Sequence, residues 1–184
     1  MISIFNIAMN KITVLAIALL LCIAPTTAQK KKITLDELWS GGFLTEGIDV
    51  LRSMNNGKQY TVLNIDRRSK YSSIDTFDYK TQKKTGTLVA SSANIPFFTS
   101  YEFSADESQV ILATDVEPVF RHSRLGVFFV YFLDEKSVVK ISDNKIQEPQ
   151  LSPDGSMVAY VFENNLYLFD LRSKKTQKIT DDGK

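Results

Sequence analysis

An all-β fold is predicted by three features of this sequence. A turn-and-strand pattern recurs along the chain, short apolar runs are bounded by Pro, Gly, Asn and Asp, and no long segment after residue 50 carries a helical period. The 184 residues are 43% hydrophobic and 23% charged, which is a globular rather than a disordered composition.

The first 28 residues read as an address. Ile12 to Ala24 is a nearly unbroken apolar run, led by Lys11 and followed by Pro25-Thr26-Thr27-Ala28. A basic lead, about 7–15 apolar residues and a small-residue exit describe a secretory signal peptide, whereas a spanning helix needs about 20. Cleavage is expected after Ala28, with Met9 as an alternative start. A lipid-bearing Cys22 is the competing reading, and Leu21 stands where such signals take a small residue. Cys22 is the only cysteine, so a mature chain lacks cysteine and folds without a disulfide in an oxidising compartment. The expected location is across the inner membrane, in the periplasm or on the cell surface. Residues 29–50 form an N-terminal segment that starts with the solvated run Lys30-Lys31-Lys32.

Residues 51–184 repeat themselves. The clearest unit runs from Glu148 to Thr180. Ser152-Pro153-Asp154-Gly155 is a turn in which proline presets φ and glycine accepts a left-handed backbone. Met157 to Phe162 is a strand, Glu163-Asn164-Asn165 a turn, Leu166 to Leu171 a strand, and Thr176 to Thr180 a fourth short strand. Phe103-Ser104-Ala105-Asp106-Glu107-Ser108 precedes Leu151-Ser152-Pro153-Asp154-Gly155-Ser156 by 48 residues, while Ile141-Ser142 precedes Ile179-Thr180 by 38. The middle copy is therefore about ten residues longer, with the excess at Asp115 to Gly126. A further copy begins at Leu51, with a turn at Asn55-Asn56-Gly57-Lys58. Its Phe77-Asp78-Tyr79-Lys80 matches Phe169-Asp170-Leu171-Arg172. The middle copy has Phe132 where these two have aspartate.

Three four-stranded units of roughly 40 residues, at about 51–89, 101–142 and 148–180, are the signature of propeller blades. Met157-Val158-Ala159-Tyr160-Val161-Phe162 and Gly126-Val127-Phe128-Phe129-Val130-Tyr131 are apolar at consecutive positions, as suits sheets covered on both faces. A β-sandwich of similar strand count is the competing arrangement, and the repeated turn-and-tail pattern favours a partial β-propeller. Propellers close with about 4–8 blades, so three are read as the amino-terminal part of a longer protein.

The charge balance excludes a general nucleic-acid binder. Lys plus Arg is 22 and Asp plus Glu is 21. One histidine, His122, excludes multi-histidine metal sites, and neither a phosphate-cradling loop nor a Gly-x-Ser-x-Gly elbow is present. No catalytic residue, cofactor or metal is therefore assigned to this chain. A Ser-His-Asp triad would need His122, which has no nucleophile context. Arg67-Arg68 reads as a charged loop, and Phe128, Phe129, Tyr131 and Phe132 as core. The irregular feature is the insertion Asp115-Val116-Glu117-Pro118-Val119-Phe120-Arg121-His122-Ser123-Arg124. A lengthened loop is where function is grafted on a scaffold, and arginine offers five donors in a planar fork for a carbonyl or carboxylate. The plainer reading is a surface hairpin whose arginine pairs with Glu117 or Asp115.

Several of these residues stand in a familiar arrangement. Ile33-Thr34-Leu35-Asp36-Glu37-Leu38-Trp39 and Leu51-Arg52-Ser53-Met54-Asn55-Asn56-Gly57 open the mature chain. Phe120-Arg121-His122-Ser123, Leu151-Ser152-Pro153-Asp154-Gly155 and Ala159-Tyr160-Val161 follow. The chain resembles the amino-terminal region of bacterial dipeptidyl peptidase IV, in the prolyl oligopeptidase family, most strongly the Bacteroidetes-type enzymes. The resemblance implies an eight-bladed propeller over a carboxyl-terminal α/β-hydrolase domain of the same parent chain, in a serine exopeptidase releasing X-Pro or X-Ala dipeptides. It implies that Arg121 holds a carbonyl of the peptide substrate, with His122 and Ser123 supporting the loop. The family's paired glutamates and catalytic Ser, Asp and His match nothing in this chain, so these residues alone are expected to be inactive. A second copy of the protein is a candidate partner. The alternatives are a secreted propeller that binds a protein partner without catalysis, and a tripeptidyl relative.

Overall fold

The computed structural model describes residues 32–41, 43, 50–121 and 123–183. The expected leader, Cys22 and His122 lie outside the described residues. The chain divides into two units, Met1–Gly47 and Ile48–Lys184. In the first, helix α1 (Leu35–Trp39) begins at Thr34, whose Oγ1 accepts a hydrogen bond from the Glu37 amide at 3.2 Å. Thr34-Leu35-Asp36-Glu37 has the Thr-x-x-Glu spacing of a capping box. The strand-centred reading passed over that signal. Among the described residues no helix is long and apolar enough to cross a membrane.

The second unit is all-β, built of three antiparallel four-stranded meanders. The first sheet holds β1 (Leu51–Ser53), β2 (Gln59–Asp66), β3 (Tyr71–Asp78) and β4 (Lys84–Ala90). The second holds β5 (Ser100–Phe103), β6 (Gln109–Pro118), β7 (Arg124–Phe132) and β8 (Ser137–Lys140). The third holds β9 (Gln147–Leu151), β10 (Met157–Phe162), β11 (Asn165–Asp170) and β12 (Thr176–Lys178). Each strand pairs with its chain neighbour, so short turns suffice to build each sheet.

The repeated motifs fold into repeated geometry. After the first strand of each sheet the chain makes a turn whose fourth residue is left-handed: Gly57, Glu107 and Gly155, with φ of 64°, 58° and 69°. The amide of each donates to the carbonyl three residues earlier: Met54, Ser104 and Ser152. In the second and third sheets Asp106 and Asp154 organise the turn. Ser104 donates to Asp106 Oδ1 at 2.7 Å and Ser152 to Asp154 Oδ1 at 2.6 Å, while the Ser108 and Ser156 amides donate to the same carboxylates. The turn after each third strand repeats as well, with left-handed Gln82, Lys136 and Lys174. Asp78 and Asp170 accept amides inside their turns, from Thr81 at 2.7 Å and Ser173 at 2.6 Å. Phe132 offers no such acceptor and packs against the core instead.

Burial explains the consecutive apolar residues. The middle sheet presents Val110, Leu112 and Tyr131 to one side, where they join Ile74 and Val89 of the first sheet. It presents Ile111, Phe128 and Val130 to the other, against Val158, Tyr160 and Phe169 of the third. A strand alternates its side chains between faces, so a sheet covered on both sides needs apolar residues at odd and even positions alike. This stacking of sheets face to face is the arrangement of successive propeller blades.

Polar contacts set how the sheets meet. Asn55 of the first turn donates through its amide to Glu107 Oε1 at 2.8 Å and through Nδ2 to the Ala105 carbonyl at 2.9 Å. One sheet further on, Gln109 Nε2 donates to the Gly155 carbonyl at 2.9 Å. Deeper in, Thr61 and Tyr101 share a buried hydroxyl–hydroxyl bond of 2.7 Å.

Candidate functional site

The middle hairpin rises above its counterparts because its ladder is longer. After Thr114 a bulge carries Asp115 into a left-handed backbone with φ of 46°, and pairing resumes at Glu117 with Leu125 and Pro118 with Arg124. The ten extra residues were expected as a lengthened loop. They instead extend both strands and leave only residues 119–123 as the tip. A bulge makes this possible, since it absorbs the odd residue without breaking the ladder beyond it.

The hairpin is braced from below. Lys145 Nζ contacts Asp115 Oδ2 at 2.9 Å and also binds Glu117, and the two carboxylates raise its pKa, Glu117 contributing most. Gly126 and Ile146 exchange backbone hydrogen bonds of 3.0 and 2.8 Å. A Cβ on Gly126 would be crowded, lying 3.2 Å from Val116 Cγ2 and 3.3 Å from the Thr114 carbonyl. At the tip the Ser123 carbonyl accepts the Val119 amide at 2.9 Å, and the Ser123 hydroxyl lies 3.4 Å from Gln147 Nε2. Asp115 and Glu117 are thus taken by a lysine, not by Arg121. Among the described residues Arg121 has no hydrogen bond or ion pair.

Arg121 lines a cavity of about 430 Å³ together with Arg124, Glu148 and the first strands of all three sheets. That volume lies within the roughly 300–1,000 Å³ of small-molecule and peptide-side-chain sites. Arg52 from β1, Glu102 from β5 and Gln150 from β9 line it, β5 adding Ser100 and β9 adding Glu148. Arg52, Glu102 and Gln150 stand five residues before left-handed Gly57, Glu107 and Gly155, so they occupy one position of the repeat. The Arg52 guanidinium sits 5.0 Å above the Tyr101 ring. Burial pushes the Tyr101 hydroxyl's pKa up, so it remains a neutral partner for Thr61. Three arginines against two glutamates leave the wall net positive, with donors facing the open space. Such a wall suits carbonyl and carboxylate oxygens. Among the described residues no group of acidic, histidine or cysteine side chains is placed to hold a metal.

The sequence reading singled out Arg121 and Ser123 in this region and missed Arg52, Glu102 and Arg124. The missed signal is phase. Superposing the three copies on their turns puts Arg52, Glu102 and Gln150 at one position, and a polar residue there in every copy marks a wall facing open space.

The fold and site define a class: successive blades of a β-propeller whose first strands border a charged cavity, with one hairpin extended over it. Residues 104–184 match the family model of the dipeptidyl peptidase IV (DPP IV) N-terminal region. The structure is similar to the crystal structure of Porphyromonas gingivalis dipeptidyl peptidase 4, with a TM-score of 0.71 and 29% identity over 84% of this chain and 22% of that one. A probable dipeptidyl-aminopeptidase B of Phaeosphaeria nodorum is 27% identical over 86% of this chain and 19% of its own. A probable dipeptidyl peptidase 4 of Arthroderma benhamiae is 33% identical over 53% of this chain and 13% of its own. The tricorn protease shares the fold alone, with a TM-score of 0.50 at 14% identity. The chain is similar to the N-terminal propeller region of DPP IV-type peptidases, as its residues suggested. It spans about a fifth of the length of the curated relatives it matches over most of its own length.

Proposed function

We propose that this chain is the propeller part of a secreted serine-type exopeptidase that releases X-Pro or X-Ala dipeptides from peptide amino termini. Its partners in this reading are the peptide and a carboxyl-terminal α/β-hydrolase domain of the same parent chain, which supplies the catalytic serine. The leader at residues 1–28 would direct it across the inner membrane to the periplasm or the cell surface. One observation carries the substrate role: Arg121 stands on a braced hairpin, lines the cavity and has no partner among the described residues. A guanidinium held there donates to a peptide carbonyl without first breaking an internal ion pair. Charge-assisted bonds of this kind contribute about 1.5–3 kcal/mol, reduced toward about 1 kcal/mol at an exposed position. Support for the class comes from the family match and from relatives named as dipeptidyl peptidases.

The test uses the protein from the full reading frame and a chromogenic Gly-Pro substrate. Arg121→Ala should lower kcat/KM by roughly five- to tenfold or more, with an unchanged thermal midpoint. A lower midpoint with undiminished activity per folded molecule would make Arg121 structural. No turnover of any dipeptide substrate by the wild type would sink the peptidase reading in favour of a binding module.

A further inference from the structure

The cavity holds a second arginine that the proposed chemistry at Arg121 does not use. Arg52 lies in β1 of the first sheet, whereas the extended hairpin belongs to the second, and its guanidinium stands 5.0 Å over the Tyr101 ring. Tyr101 itself is fixed, because its ring is largely buried and its hydroxyl is bonded at 2.7 Å to Thr61. A cation over a fixed aromatic face is held in place while its edge N–H groups stay free to donate. Among the described residues the Arg52 side chain has no ion pair or hydrogen bond, although Glu102 lines the same cavity. The group is therefore oriented, unneutralised and exposed to the space that a ligand of Arg121 would enter.

We propose that Arg52 is a second peptide-binding residue of this cavity and that it takes a carboxylate of the peptide, from an acidic side chain or a chain end. The proposal rests on the peptidase reading for its ligand, and it predicts a preference that this reading does not contain. Arg121 would engage any peptide through a backbone carbonyl, whereas Arg52 would distinguish peptides by charge. Arg124 adds to the positive wall, and Glu102 and Glu148 disfavour crowding by a second carboxylate.

The experiment compares two fluorescein-labelled peptides, identical except for Asp or Asn at the positions after Ala-Pro. Binding to the protein from the full reading frame is followed by anisotropy. Turnover of an uncharged Gly-Pro chromogenic substrate is measured in parallel. Arg52→Gln should weaken binding of the Asp peptide about five- to tenfold, with binding of the Asn peptide changed less than about twofold. Arg52→Lys keeps the charge without the planar fork and should restore part of the preference. Equal effects on both peptides, or none on either, would overturn the proposal even if the chromogenic substrate is cleaved normally. If the wild type cleaves no dipeptide substrate, the peptidase reading falls. Charge-selective binding that depends on Arg52 would then still establish the cavity as an acidic-peptide site.

Discussion

Asp106 and Asp154 show how much one side chain does in this fold. Each carboxylate gathers a serine hydroxyl two residues before it and both the hydroxyl and the amide of a serine two residues after it. These donors, the preceding serine's hydroxyl foremost, bring both pKa values from 3.8 to about 2. The folded-state value lies below the unfolded one. The contribution to stability is therefore complete above the ordinary carboxylate value and is lost as pH falls through about 2. Thermal midpoints followed by circular dichroism should decline across that window in the wild type. The Asp106→Asn, Asp154→Asn double variant should start lower at neutral pH and decline less steeply. Parallel curves would show that these turns do not sense pH. Glu107 carries the opposite lesson. It takes a left-handed backbone where the other two copies use glycine, and its carboxylate reaches Asn55 of the neighbouring sheet. A local strain of roughly 1 kcal/mol is tolerated there in exchange for a contact between sheets.

The extended hairpin is the element that separates the second sheet from its neighbours. Its length comes from paired strands, and its attachment comes from Lys145 and the Gly126–Ile146 bridge. Lys145→Met should leave the sheets intact and loosen the extension. Hydrogen exchange read by mass spectrometry should then speed up severalfold in peptides covering residues 116–125, with those covering 128–132 unchanged. Uniform protection in both would show that the ladder alone holds the hairpin. Gly126→Val should cost about 1–3 kcal/mol, because a branched side chain adds two methyl groups where a Cβ alone already stands 3.2 Å from Val116 and 3.3 Å from the Thr114 carbonyl.

At the scale of the whole molecule, stability resides between the sheets. Ile146 is fully buried where the second and third sheets meet, and Ile74 is fully buried between the first and second. Ile146→Ala and Ile74→Ala should each cost about 2–5 kcal/mol, read as a lower urea midpoint. A smaller effect at either would mean that the sheets do not depend on that junction.

Strand existence, turn chemistry and the repeat were legible because each depends on residues within about ten positions. Proline, aspartate and glycine determine a turn locally, and alternate burial leaves a visible apolar run. The helix at Thr34 was equally legible, since a capping box is local, but no strand-based template looks for one. The hairpin's strand extension was misread as a loop. Its bulge at Asp115 and its brace at Lys145 involve residues 30 positions apart, and nothing in the local pattern joins them.

The sequence by itself determined that this chain is a series of β-meanders with matching turns, and that Arg121 sits on the irregular one. Only the tertiary structure decided that Lys145 occupies the nearby carboxylates, leaves Arg121 without a partner among the described residues, and brings Arg52, Glu102 and Gln150 to the same cavity wall. The reason is physical. Turns and strands are set by short-range backbone sterics and hydrogen bonding, whereas an ion pair or a cavity wall exists only once separate sheets are packed against one another.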